Sequence, residues 1–177
     1  MKKDYYFTSE RLGFRNWKDS DVLSLYGINS DPEVMRYFPS TATKQQTADF
    51  IRRMQGMFDA KGYCYFAVEV LETGEFIGFI GLSDQDYNSH FTPCTDIGWR
   101  LSRKHWKKGY AVEGATAVLD FARTKTPLKT IYATAPKSNK NSIAVMERIG
   151  LVFKEEFEHP RLMDIEELRT CVLYVTP

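Results

Sequence analysis

Arg100-Leu101-Ser102-Arg103-Lys104-His105-Trp106-Lys107-Lys108-Gly109-Tyr110-Ala111 is where one structural period gives way to another. Ahead of it, Thr95-Asp96-Ile97-Gly98-Trp99-Arg100-Leu101 reads as a strand whose internal Gly98 signals a bulge or a close backbone approach. Behind it, Ala115, Val118, Leu119 and Ala122 recur at helical spacing, with Arg123 and Lys125 in the last turn and Pro127 just beyond. The joint is therefore a strand-to-helix turn with concentrated positive charge. The first N–H groups of such a helix lack partners and its dipole favours negative charge, while Gly109 and Ala111 leave room for a phosphate to approach. The competing reading is a solvated basic turn of Lys104, Lys107 and Lys108. Neither nucleotide fingerprint fits, because the chain contains no GxxxxGK[ST] and no GxGxxG.

Upstream, Arg11-Leu12-Gly13-Phe14-Arg15 has the alternation of a first strand, and Asp19 precedes a helical pattern of Val22, Leu25, Tyr26 and Asn29. Asp31-Pro32-Glu33 offers a short helix start that Pro39 stops. Thr43-Lys44-Gln45-Gln46 fits a capping box, opening a helix through Thr47, Phe50, Ile51, Met54 and Phe58 to Gly62. From Tyr63 to Val70 the period falls to two, with Cys64, Phe66, Val68 and Val70 on one face. Glu72-Thr73-Gly74-Glu75 joins this run to Phe76–Leu82 as a hairpin, and a polar stretch covers Ser83 to Thr92. Downstream come a strand from Lys129 to Ala135, a helix from Asn139 to Ile149 closed by Gly150, a strand opening at Leu151-Val152-Phe153, and a last strand from Arg169 to Val175. This order predicts one α/β domain over residues 1–177, with a mixed sheet of about seven strands and about four helices.

Composition narrows the function classes. The 24 Lys and Arg nearly cancel the 23 Asp and Glu, leaving +1, which argues against a nucleic-acid binder working through a broad basic field. Cys64, Cys94 and Cys171 form no CxxC, and His90, His105 and His159 have no zinc-ligand spacing, so neither a disulfide framework nor a metal is expected. Met1-Lys2-Lys3-Asp4-Tyr5-Tyr6-Phe7 lacks an apolar leader core, and no apolar run of about 18 residues occurs. The expectation is a soluble cytoplasmic protein without membrane contact. Oligomeric state has no signature in this sequence.

Trp106-Lys107-Lys108-Gly109-Tyr110-Ala111 resembles the R/Q-x-x-G-x-G/A pyrophosphate loop of the GNAT superfamily of N-acetyltransferases, with Trp in the first place. Asp96-Ile97-Gly98-Trp99-Arg100-Leu101, then Trp106 to Gly114, then Asn139 through Ser142 to Met146-Glu147-Arg148-Ile149-Gly150 are similar, in order and spacing, to blocks of its RimJ/RimL-like branch. Thr8-Ser9-Glu10-Arg11-Leu12 and Phe157-Glu158-His159-Pro160 resemble that branch too. The resemblance implies acetyl-CoA as cosubstrate, its pyrophosphate on the amides of residues 107 to 111, and its pantetheine between the strands ending at Leu101 and Ala135. Trp99, Arg100, Leu101, Trp106, Lys107, Lys108, Gly109, Tyr110, Ala111 and Asn139 are the candidate cofactor-binding residues. Lys107 stands where the branch often has Gly, Asp96 where Glu is usual, and Val112 where Thr is usual.

Acetyl transfer needs a neutral amine, a polarised thioester carbonyl and a proton for the departing thiolate. Asp96 is the candidate base, acting through water; its alternative is a carboxylate paired with a neighbouring strand charge. Many superfamily members place a Tyr acid in the last helix, where this chain has Met146, which leaves Ser142 as the candidate to hydrogen-bond the thiolate or merely to sit in the first helical turn. Asn139 is either a pantetheine contact or an N-cap. Trp99, Trp106 and Tyr110 line the channel or belong to the core. An α-amine of pKa about 7.7–8.0 is roughly a tenth neutral at pH 7, a lysine amine of about 10.4 far less so, so a weak base favours an N-terminal α-amine as acceptor. A small-molecule amine (antibiotic, polyamine or amino acid) is the alternative, and a non-catalytic acyl-CoA-binding module is a third reading that Met146 supports.

Overall fold

The computed structural model describes residues 4–177, so Met1 to Lys3 of the run read for a leader lie outside the described residues. Strands β1 (Phe7–Thr8) and β2 (Leu12–Arg15) form an opening hairpin, followed by helices α1 (Val22–Asn29) and α2 (Lys44–Lys61). Then come β3 (Tyr65–Val70), β4 (Phe76–Gln85), β5 (Cys94–Leu101), α3 (Tyr110–Lys125), β6 (Tyr132–Pro136), α4 (Lys140–Arg148), β7 (Val152–Glu158), the single-turn α5 (Glu166–Arg169) and β8 (Thr170–Val175). They build one eight-stranded sheet in the order β1-β2-β3-β4-β5-β6-β8-β7. All neighbours are antiparallel except β5 and β6, which run parallel and share a single register pair, Asp96 with Tyr132. Past that pair the two strands separate. The expected mixed α/β domain is observed, with β1 as an additional strand and α5 as an additional turn.

Both faces of the sheet are covered. Ile80 packs beneath Gly114 of α3, where a Cβ would come within 2.3 Å of its Cδ1. Its neighbour Phe79, on the opposite face, meets Phe50 of α2 at 5.2 Å between ring centroids. Strand β3 is accordingly buried on both faces, every residue after Tyr65 being inside. Glu69 lies inside with its charge answered by Arg15 at 2.8 Å, which also bonds Asp21 at 2.7 Å, and with the Tyr5 hydroxyl donating to its Oε2 at 2.9 Å. A buried charge without such partners is strongly destabilising.

Local signals explain most of the elements. Thr43 Oγ1 accepts from Gln46 N–H at 3.1 Å and Gln46 Oε1 accepts from Thr43 N–H at 2.8 Å, the reciprocal box that starts α2, and Gly62 ends it at φ 74°. The short helix expected from Asp31 does not form. Residues 31–39 make only turns, with Met35 N–H bonding Asp31 O at 3.1 Å, because Val34 and Met35 are drawn into the interior. The polar stretch from Ser83 is partly strand, since β4 pairs with β5 as far as Gln85 and Cys94. Gly98 marks a close approach and no bulge: a Cβ there would sit 3.0 Å from the Tyr65 ring, and the β4–β5 register is regular across it. The register shifts lie between Val68 and Glu69 and between Phe153 and Glu155.

Candidate active site

The turn after β5 is stiffened before it reaches the helix. Ser102 Oγ lies 2.6 Å from His105 Nδ1, and His105 Nε2 lies 3.2 Å from Glu75 Oε2, which also pairs with Lys104. The Trp106 indole donates to Leu101 O at 2.8 Å. Lys107 then adopts φ 58° and Gly109 φ 81°, so two left-handed residues flank Lys108. Alternation of this kind turns successive N–H groups toward one concavity, a backbone nest for anions. The first intrahelical bond runs from Glu113 N–H to Gly109 O at 3.0 Å, leaving the amides of residues 110 to 112 free at the positive end of α3. Lys107 explains a sequence oddity: a non-glycine residue at such a φ costs about 1–2 kcal/mol, and glycine would avoid it.

Two residues that sequence reasoning overlooked hold this turn in place. Glu113 Oε1 accepts from Ser9 Oγ at 2.6 Å and from Arg11 N–H at 2.7 Å, and its Oε2 accepts from Arg11 Nε at 2.6 Å. Arg11 also donates to Lys108 O at 3.1 Å and lies 4.6 Å from the Tyr110 ring centroid. Burial pushes the Glu113 carboxyl up, but the Ser9 and Arg11 hydrogen bonds outweigh it and hold the group below its ordinary value. Among the described residues Lys107 and Lys108 enter no ion pair, so their charge is free.

Alternation divides β5 between two environments. Trp99 and buried Leu101 share the α3 face with Ile97, whereas Asp96, Gly98 and Arg100 face α1 and α2. Tyr65 crosses over Gly98, stacked on Phe79 at 5.1 Å, and its hydroxyl donates to Asp96 Oδ1 at 2.5 Å. Gln85 Nε2 supports that hydroxyl at 3.4 Å. The partner of Asp96 is thus a phenol, not a strand cation. Burial lifts the Asp96 carboxyl to about 7, against the opposing pull of the Tyr65 and Gln85 hydrogen bonds, and it keeps part of its surface open. Arg100 points to α1, where its Nη1 meets Asn29 Oδ1 at 2.8 Å, away from the basic turn.

Across the opening stand β6 and α4. Asn139 is an N-cap, its Oδ1 accepting from Ser142 N–H at 3.2 Å, which leaves its amide NH₂ uncommitted. Ser142 is half-buried in the first turn of α4, and Met146, one turn on, is 1% exposed in the core. No thioether donates a proton. Two open surface grooves of about 530 and 540 Å³ flank the site without entering it, one between β1 and α3 beside Phe7 and Phe121, the other between α1 and the turn at Ser102 and Arg103. Among the described residues no group of three His, Cys, Asp or Glu could hold a metal ion, and no helix is long and apolar enough to cross a membrane.

Residues 11–152 match the profile of the acetyltransferase (GNAT) domain. The chain belongs to the GNAT acetyltransferases. It is 31% identical over 166 residues to an uncharacterized N-acetyltransferase, p20, of Bacillus licheniformis, covering 89% of this chain and 90% of that one. A GNAT-family acetyltransferase structure from Bacillus anthracis superposes with a TM-score of 0.78 at 26% identity over 95% of each chain. Two structures share the fold at lower identity. One is RimL, a ribosomal L7/L12 α-N-protein acetyltransferase in complex with coenzyme A (TM-score 0.78, 13% identity, 97% of each chain). The other is a spermidine N-acetyltransferase from Vibrio cholerae in complex with CoA and spermine (TM-score 0.73, 15% identity, 93% of this chain and 94% of that one).

A GNAT acetyltransferase takes its acetyl group from acetyl-CoA, and the geometry of this GNAT domain fits that cosubstrate at two points. A nest of free amides with two unpaired lysines suits a pyrophosphate. An opening between β5 and β6, whose parallel pairing is confined to Asp96 and Tyr132, suits a linear amide-bearing chain.

Proposed function

We propose that this acetyl-CoA-dependent GNAT N-acetyltransferase acts on the N-terminal α-amine of a peptide or protein, as the RimJ/RimL-like blocks imply. In this reading the pyrophosphate rests on the amides of residues 107 to 111, and the pantetheine runs between β5 and β6 with the Asn139 NH₂ within its reach. Trp99, Leu101, Trp106 and Tyr110 border that path. The acceptor enters from the α1–α2 face. Its nitrogen lone pair attacks the thioester carbonyl carbon, the C–S bond breaks, the nitrogen's proton passes to Asp96 through water, and the thiolate is met by the Ser142 hydroxyl.

The observation that carries this reading is the Asp96 carboxyl held at about 7. A base at that value is half ionised at neutrality and lies about one pH unit below an α-ammonium near 7.7–8.0, but more than three below a lysine ammonium near 10.4. Proton transfer is then nearly balanced for the α-amine alone. Three free cysteines, two of them buried, fit a reducing cytoplasm. The test uses peptides with free and blocked N-termini, each with an internal lysine, against a panel of small amines. Acetylation confined to the free terminus is expected; modification of the blocked peptide, or of small amines alone, would overturn the acceptor assignment.

A further inference from the structure

Four residues beyond Asp96, on the same face of β5, stands a charge that the fold leaves unanswered. The Arg100 guanidinium carbon lies 4.3 Å from the Phe38 ring centroid and 5.2 Å from that of Phe79, and its one hydrogen-bond acceptor among the described residues, Asn29 Oδ1, is neutral. Its Nε is buried without a hydrogen-bond partner. The acids nearby are committed elsewhere, Asp96 to the Tyr65 hydroxyl and Asp31 to Arg103 at 3.4 Å. Desolvation pulls the guanidinium down to about 10. Arg15 shows how the same chain treats a buried arginine when the fold alone must satisfy it, with one carboxylate at 2.7 Å and another at 2.8 Å. Arg100, less deeply buried but with its Nε enclosed, has the apolar rings without the anion. An orphaned donor and an unpaired charge of this kind are costly in a folded protein unless a ligand completes them.

We propose that Arg100 reads a carboxylate on the acceptor, and that the acceptor is an amine bearing an acidic group about two residues' length from the reacting nitrogen. This rests on the reading that the amine meets Asp96 from the α1–α2 face. The length follows from the strand. At about 3.3 Å per residue the Cα atoms of Asp96 and Arg100 are about 13 Å apart. Allowing about 3 Å for a hydrogen bond at Arg100 and about 5 Å for the water-bridged contact at Asp96 leaves about 5 Å between amine and acid, within the span of two extended residues. The rings of Phe38, half open to solvent, and of buried Phe79 flank the guanidinium and leave it reachable by an acceptor. A polycationic acceptor would instead bring more positive charge to an unpaired guanidinium, which sets this pocket against polyamines.

The experiment compares alanyl-glutamyl-alanine amide with alanyl-glutaminyl-alanine amide, which differ by one charge at constant size. The wild-type protein should favour the glutamyl peptide by about tenfold or more in kcat/KM, the usual worth of a charge-assisted hydrogen bond. Arg100→Gln should bring the two within about threefold while leaving the calorimetric CoA affinity unchanged, and Arg100→Glu should shift preference to the lysyl analogue. Calorimetry on the N-acetylated products should show the same order in binding alone. Equal kcat/KM for both peptides in the wild type, or a preference that survives Arg100→Gln, overturns the role of Arg100 while the α-amine assignment stands. If neither peptide is acetylated, the α-amine assignment fails and takes this inference with it. Because the wild-type comparison needs no variant, an Arg100→Gln chain that does not fold leaves the proposal open to refutation.

Discussion

Replacing Asp96 by Asn should damage turnover and improve stability in the same molecule. Asn is nearly isosteric and keeps a carbonyl oxygen for the Tyr65 hydroxyl, so the hydrogen bond of 2.5 Å survives while the charge does not. Holding a carboxyl at about 7 instead of 3.8 costs at most about 4 kcal/mol, at about 1.36 kcal/mol per pH unit. The side chain retains some access to solvent, and screening brings the figure to about 2 kcal/mol. The sign follows from linkage. A carboxyl whose value is raised on folding binds more protons in the native state between about pH 4 and 7, so the wild type loses stability as pH rises through that window. Asp96→Asn should therefore match the wild type near pH 3 and exceed it at pH 8, with Tm higher by about 4–8 °C at this chain length. The same variant should lose about a hundredfold or more in kcat and no longer show an acid limb near pH 7. Urea melts at the two pH values and a kcat–pH profile measure both halves. A variant less stable than wild type at pH 8, or one that keeps the acid limb, refutes the view of Asp96 as a desolvated base.

Two further outcomes bear on the cosubstrate end. Ala111→Asp puts a carboxylate in the first turn of α3, which the helix dipole tolerates or favours, so CoA affinity should fall by about a hundredfold or more with Tm unchanged, and Lys108→Glu should cost less; calorimetric titration showing unaltered affinity in Ala111→Asp removes the amide nest from the binding site. Glu113→Gln loosens Ser9 and Arg11 together and should cost about 1–2 kcal/mol at pH 7; because the Glu113 carboxyl is held low on folding, that difference should fade as pH drops below about 4, and a pH-independent difference in urea melts would assign the effect to packing instead.

The sequence disclosed whatever rests on neighbours along the chain. The capping box at Thr43, the N-cap at Asn139 and the turn between β5 and α3 are local chemistry, and each is found where its residues stand. The blocks around Asp96, Trp106 and Ser142 fall on β5, on the turn before α3 and on α4, the elements their spacing predicts. Hidden were the partnerships that close over distance. Tyr65 and Asp96 are separated by 31 positions and Arg11 and Glu113 by 102, and no periodicity announces either pair. Glycine at 98 hinted at a close approach but could not say that the intruder was a phenol that would sit on the base. Two-residue β1 is too short to carry a period, and residues 31–39 obey the burial of Val34 and Met35 instead of their own capping signal.

The parting of β5 and β6 gives the sheet four edges instead of two. Besides its outer borders at β1 and β7, it carries an inner pair of lips where the strands separate after one shared position. An open border is an invitation to any extended chain, and here it lies in the middle of the fold, where protein stability is made. On the proposed function, a cosubstrate that fills it would work as keystone as well as reagent: at a hundredfold over its Kd it would contribute about 2.7 kcal/mol to the folded state. The lifetime of such a protein would then track the supply of the molecule it consumes, so that a cell short of that molecule would hold less of the enzyme as well as a slower one.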